Sequence, residues 1–201
     1  MARLPLNKAT LTRKKQDLAT YEQFLPSLDL KRKMLLSEEA RLRGLAAEAR
    51  SRETAMRDGV GAALPMLANI NVRVEDLVRV AAADLGETSI AGVRVPVLGD
   101  VRFEVKSYGL MSRPHWVDRV VERWQAAVRA TLDRRVAEAR LERIGAALAT
   151  VTQRVNLFEK VLIPRTRAEI ARIDIALQDA ERARVITAKV AKSKARAGGV
   201  A

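Results

Sequence analysis

Two stretches near the ends of the chain carry apolar residues at the spacing of a coiled-coil seam. In the first, Leu28, Leu35, Leu42, Ala49 and Met56 recur every seven positions, with Leu11, Leu18 and Leu25 as a companion series. In the second, Ile144, Leu148, Val151, Val155, Phe158 and Leu162 alternate steps of four and three. Alternating steps hold an apolar stripe against a partner helix. The simplest partner for each stretch is the other, so the expected fold is mainly α. It is a long antiparallel two-helix coiled coil from the N- and C-terminal segments, with a small central β-hairpin region. The expected segments are an N-terminal helix over 1–58, a central segment over 59–113, a C-terminal helix over 114–195 and a flexible tail over 196–201.

Asn7 is the expected cap of the first helix, and the pattern from Leu11 to Asp58 reads as free of strong breakers. Gly59, Gly61 and Pro65 then weaken it. Pro114 stands where the second helix should open, followed by Val117, Val121, Trp124, Val128 and Leu132. Beyond Leu162 the stripe resumes at Ile170, Ile173, Leu177 and Ala180. The step from Leu162 to Ile170 is eight, and it coincides with Pro164, which predicts a bend there. If pairing starts near the central segment, Asn7 lies opposite Pro164 and the last one to three turns project as a single helix.

Between the helices the period changes to two. Val93, Val95 and Val97 alternate with Arg94 and Pro96; Val101, Phe103 and Val105 alternate with Arg102 and Glu104. With Leu98-Gly99-Asp100 as the loop, this reads as a hairpin over about 93–105 in which Arg94 faces Glu104. A lone hairpin is marginal in water. Its apolar face (Val93, Val95, Val97, Val101, Phe103, Val105) is therefore expected either to dock a small partner or to pack on the helices. The stretch from Val74 to Leu85 reads as an extended lead into it.

Charge adds a partner class. The net charge of +13 calls for acidic company, and the cations gather at the two ends. Arg3, Lys8, Arg13, Lys14 and Lys15 precede the first acid, and Arg182, Arg184, Lys189, Lys192, Lys194 and Arg196 close the chain. Antiparallel pairing merges these into one basic tip, the candidate surface for a large acidic partner together with Arg165. With no cysteine there is no disulfide or thiolate chemistry. No apolar run reaches the roughly 20 residues of a bilayer span, and no secretion signal is visible. The expected location is cytoplasmic.

Catalytic patterns are missing. Gly59-Val60-Gly61 has Leu64 where a dinucleotide motif needs its third glycine, and there is no phosphate-binding GxxxxGK[ST]. His115 is the only histidine, and Glu38 and Glu39 lie among Arg41 and Arg43 as a solvated face. No catalytic residue, cofactor or metal is expected. A basic coiled coil also fits a nucleic-acid-binding protein or a stalk in an ATPase-driven machine such as a protein exporter.

The stretch from Gln153 to Arg165, QRVNLFEKVLIPR, resembles the RVNALE…IPR signature of the D subunit of V-type and A-type rotary ATPases. The opening Leu6-Asn7-Lys8-Ala9-Thr10-Leu11 and the central Ile90-Ala91-Gly92-Val93-Arg94-Val95-Pro96 are similar as well, as is the order of elements. The resemblance implies a non-catalytic central rotor shaft of an ATP-driven or ATP-synthesising ion-translocating complex. Its implied partners are the catalytic A and non-catalytic B subunits of a hexamer, the small F subunit and an adaptor on the membrane ring. It implies no direct nucleotide, no nucleic acid and no membrane span, and it places the chain on a peripheral part of a membrane-bound complex. The basic tip is then expected inside the hexamer bore.

Overall fold

The computed structural model describes residues 5–63, 78–105 and 116–197. Helix α1 (Lys8–Ala63) is followed by strands β1 (Val78–Ile90) and β2 (Val93–Val105). Helix α2 (Trp116–Leu157) then runs into a π-helical turn (Phe158–Leu162) and helix α3 (Ile163–Ala197). The fold is thus mainly α with one two-stranded antiparallel sheet. The chain divides into two units, one of Met1–Leu30 with Val151–Ala201, the other of Lys31–Thr150.

In the first unit, Asn7 caps α1 by accepting the Thr10 N–H at 2.7 Å on Oδ1. The helix continues through Pro26, a breaker inside a stretch expected to be uninterrupted. An interior proline costs about 3 kcal/mol, and Leu25 and Leu28, half-buried on the adjacent turn, help offset it. Facing α1, the buried residues are Val151, Val155, Ile163, Thr166 and Ile173. Antiparallel pairing is fixed by Lys14 with Glu169 (2.8 Å), Glu22 with Arg167 (2.6 Å) and the edge-to-face rings of Tyr21 and Phe158 (5.4 Å).

The eight-residue step is resolved by backbone geometry. Ile163 donates its N–H to the Phe158 carbonyl, an i→i+5 bond that fits one extra residue into the turn. Without it, the four-three alternation would run from Leu162 to Arg165, Glu169 and Arg172 and bring charges to the seam. With it, Thr166, Ile170, Ile173 and Leu177 take those places. The phase shift expected at Pro164 is therefore absorbed by a π-turn just before the proline, and Ile163 replaces half-buried Leu162 as the buried seam residue.

The second unit encloses Leu35, Leu42, Ile144 and Val95, each at most 1% exposed, as Ile173 is in the first. Ala46 and Ala49 continue the α1 stripe, but Met56 is 46% exposed, so the heptad series outlasts the seam. Helix α1 persists through Gly59 and Gly61 to Ala63 instead of weakening at Asp58.

The hairpin differs from its expected form. The run 93–105 is one strand, and its partner is the stretch 78–90. The connection is Ala91-Gly92, both at positive φ (50° and 76°), as a two-residue type I′ turn requires. Leu98-Gly99-Asp100 is not the loop. The register shifts between the Ala83↔Val101 and Leu85↔Leu98 pairs, so this glycine marks a bulge. A Cβ on Gly99 would lie 3.1 Å from the Asp84 carbonyl oxygen. Arg94 accordingly faces Ser89, while Glu104 faces Arg79.

Candidate functional site

Two surfaces hold the residues that sequence reasoning singles out, one in each unit. In the first unit, α1 brings Lys8, Arg13 and Lys15 to the surface, and α3 does the same for Arg182, Arg184, Lys189 and Lys192. Both groups belong to this unit, although they lie far apart in sequence. Arg3 lies outside the described residues. Lys14 and Arg165 are not free cations. Both bind Glu169, Lys14 at 2.8 Å and Arg165 at 3.0 Å, and together they hold its carboxyl below the ordinary carboxylate range, Lys14 contributing more. Lys14 ties α1 to α3 through Glu169, while Arg165 braces the same carboxylate from one turn away within α3.

The level of pairing differs from expectation. Lys14 meets Glu169 and Tyr21 meets Phe158, so Pro164 lies level with the turns between Lys14 and Tyr21, well inside α1. The start of α1 consequently sits deeper along α3, and every residue from 178 to 194 is exposed. The part of α3 with every side chain exposed is residues 178–194, nearly five turns instead of one to three. It bears five cations, and no acid follows Glu181. Arg182 approaches Asp179 at 3.8 Å.

In the second unit the hairpin is seated on α2. Arg140 donates from Nε to the Pro96 carbonyl, and Arg143 reaches the Arg94 carbonyl at 3.3 Å and Glu87 at 3.5 Å. Val95 and Val101 are buried, Val93, Val97 and Phe103 half-buried, and Val105 exposed. The face expected to offer six apolar contacts is therefore mostly covered within its own unit. Sequence reasoning misses the outward positions Val80 and Leu85 of β1, which are 45% and 66% exposed. Their signal is weak, because Val74–Leu85 reads only as an extended lead.

Beside the hairpin seat, α1 and α2 are joined by a chain of charges. Arg50 binds Glu138 at 2.9 Å; Glu138 also accepts from Arg134, which in turn meets Glu53. Hydrogen bonds from Arg50 and then Arg134 hold the Glu138 carboxyl below its ordinary value, and the bond to Glu138 raises the Arg134 guanidinium. Further along, Arg123 donates to the Gly59 carbonyl at 3.1 Å. A groove of about 300 Å³ opens there, lined by Glu53, Arg57, Trp124, Ala127, Val128 and Thr131. Trp124, expected in the stripe, is 39% exposed at its rim. Among the described residues, no group of His, Asp or Glu is arranged to hold a metal, and no helix is long and apolar enough to cross a membrane. These geometries bind and brace; no nucleophile–base pair stands among them.

Comparison with known proteins gives one consistent result. A family model described as the D subunit of ATP synthase matches residues 10–193. The chain is 26% identical over 193 residues to a V-type ATP synthase D subunit of Borreliella burgdorferi, covering 96% of this chain and 95% of that protein. It is 32% identical to proteins of the same description from Chlamydia muridarum, over 196 residues, and Chlamydia felis, over 197. Those matches cover 96% of this chain in each case, and 96% and 94% of the respective relatives.

Proposed function

Because the chain belongs to the family of ATP synthase D subunits, we propose that it is the non-catalytic central stalk of a V-type ATP synthase, carrying torque between a nucleotide-binding head and an ion-translocating membrane ring. The observation that carries this reading is the match over residues 10–193, which takes in both helical ends, the hairpin and the start of the free helix. The physical features agree with it. Interlocked seam residues such as Leu35, Leu42 and Ile144 resist sliding between helices. The ion pairs of Glu169 and Glu138 hold the register from inside each unit.

On this reading ATP chemistry resides in the catalytic A and non-catalytic B subunits of the head. The exposed cations Lys8, Arg13, Lys15, Arg182, Arg184, Lys189 and Lys192 face acidic loops in the bore of that head. Screening limits such attraction to about 8 Å at physiological salt, so the contacts are close and salt-sensitive. The small F subunit and the ring adaptor are the partners for the hairpin unit, where the outward Val80, Leu85 and Val105 offer more contact area than the covered Val95 face. The chain contributes no catalytic group and rides on the peripheral part of the complex.

Purification of the tagged chain from its native cells tests this. The expected result is co-recovery of A, B and F subunits at fixed stoichiometry. Recovery alone, or with nucleic acid that washes off with salt, would overturn the stalk reading.

A further inference from the structure

The last turns of α3 raise a physical difficulty. From residue 178 to 194 every side chain is exposed, so no packing supports the helix. An isolated helix of this length is marginal in water, because most helical stability in proteins comes from tertiary contact. Its own charges weaken it further. Lys189 and Lys192 lie one turn apart, and of the five cations in 178–194 Arg182 approaches Asp179 while no acid follows Glu181. Thr187 Oγ1 donates to the Ala183 carbonyl and Ser193 Oγ to the Val190 carbonyl, and Arg182 approaches Asp179 at 3.8 Å; all three contacts are local and do not tie the segment to the rest of the unit.

Its pattern is nevertheless organised. On a turn of 3.6 residues, Arg182, Lys189 and Lys192 share one arc, with Val185 among them. Ile175, Ile186 and Val190 occupy the arc beside it. Ile175 and Ile186 are 61% and 62% exposed, so the apolar arc is a surface without cover among the described residues. A segment with adjacent basic and apolar arcs, and no support of its own, suits a partner that supplies both missing terms.

We propose that residues 178–194 become a stable helix only on docking into a partner lined by acidic and apolar side chains, so that helix formation and assembly are one step. The occupant we assign is the protein lining of the ATP-hydrolysing head, which rests on the stalk reading above; charge complementarity and the exposed Ile186 and Val190 argue for it. The paired part of α3, from Ile163 to Ile173, needs no such help, since Ile163, Thr166 and Ile173 are buried against α1.

Hydrogen exchange on the full chain, free and assembled with its head, tests both halves. In the free chain, amides of 178–194 should exchange within about tenfold of an unstructured peptide, while those of 163–173 are slowed by more than about a hundredfold. Equal protection of the two segments in the free chain would overturn the proposal. Addition of the head should slow exchange in 178–194 by at least about tenfold, and the gain should shrink as salt rises. If the head binds but these amides stay fast, docking of this segment is wrong while the stalk reading stands. If the head does not bind, the stalk reading fails, and with it the assigned occupant. Duplex DNA giving equal protection at the same salt would overturn the acidic-protein occupant. The triple variant Arg182→Gln, Lys189→Gln, Lys192→Gln should lose most of the salt dependence; retention of it would overturn the charge argument.

Discussion

Deleting Lys160 should leave the fold intact, and this outcome is unusual for a deletion inside a long helix. Loss of one residue from an α-helix turns everything beyond it by about 100° relative to everything before. Inside α2 that is damaging. Deleting the exposed Glu142 would put Ile144, which is fully buried, out of phase with Arg134 and Glu138, which bind Glu53 and Arg50. Removal of such a side chain from a core costs about 2–5 kcal/mol. For a chain of this size that is on the order of 5–20 °C in Tm. At Lys160 the π-turn already contains one residue too many for an α-helical seam. Its removal shortens the Val155-to-Ile163 step from eight to seven and keeps Ile163, Thr166 and Ile173 facing α1. The expected change is within about 1 kcal/mol, or roughly 4 °C. Thermal melts of the two deletions followed by circular dichroism decide the matter. If the Lys160 deletion loses as much as the Glu142 deletion, the π-turn is not a register adapter and the reasoning fails.

Other outcomes follow from the same contacts. Leu35→Ala should cost about 2–5 kcal/mol in urea unfolding, while Leu30→Ala, 61% exposed in the structure, should stay within about 0.5 kcal/mol. Gly92→Val should destabilise the hairpin by more than about 1 kcal/mol, because φ is +76° there; Gly86→Ala, open to within 3.9 Å of its nearest neighbour, serves as the milder control. Glu138 and Glu169 bind fewer protons folded than unfolded, since their partners lower both carboxyls. Their contribution is therefore present at neutral pH and lost as pH falls below the ordinary carboxylate value of 4.5. In a melt series from pH 7 to 3, Glu138→Gln should flatten part of that acid slope, and an unchanged slope would contradict the assignment.

The paired helices are legible in the sequence because a seam repeats a physical demand every turn or two. Leu35, Leu42, Ile144 and Val155 meet that demand and are among the most enclosed side chains. The phase shift beyond Leu162 is legible too. Its solution is not, because periodicity reports an extra residue without saying whether a bend or a π-turn absorbs it. The hairpin is half legible. The alternation in 93–105 signals a strand, but glycine serves both turns and bulges, and at Gly99 the turn expectation is the wrong one. Ala91-Gly92 escapes notice because nothing local marks alanine as tolerant of positive φ; the long β1–β2 register imposes it. Among candidate contacts, Lys14 and Arg165 are legible as cations, but the Lys14–Glu169 pairing is created only when α1 and α3 meet, whereas Arg165–Glu169 is an i,i+4 pair within α3. The extent of the free basic helix likewise depends on a register that composition cannot supply.

Rotation itself is the most direct observable. The chain has no cysteine, so Leu85→Cys on the outward face of β1 provides a single attachment point for a probe. With the ATP-hydrolysing head fixed to a surface, addition of ATP should drive the probe in unidirectional steps that stop when nucleotide is removed. A probe that stays still while the same complexes hydrolyse ATP would mean that this chain is not the turning element.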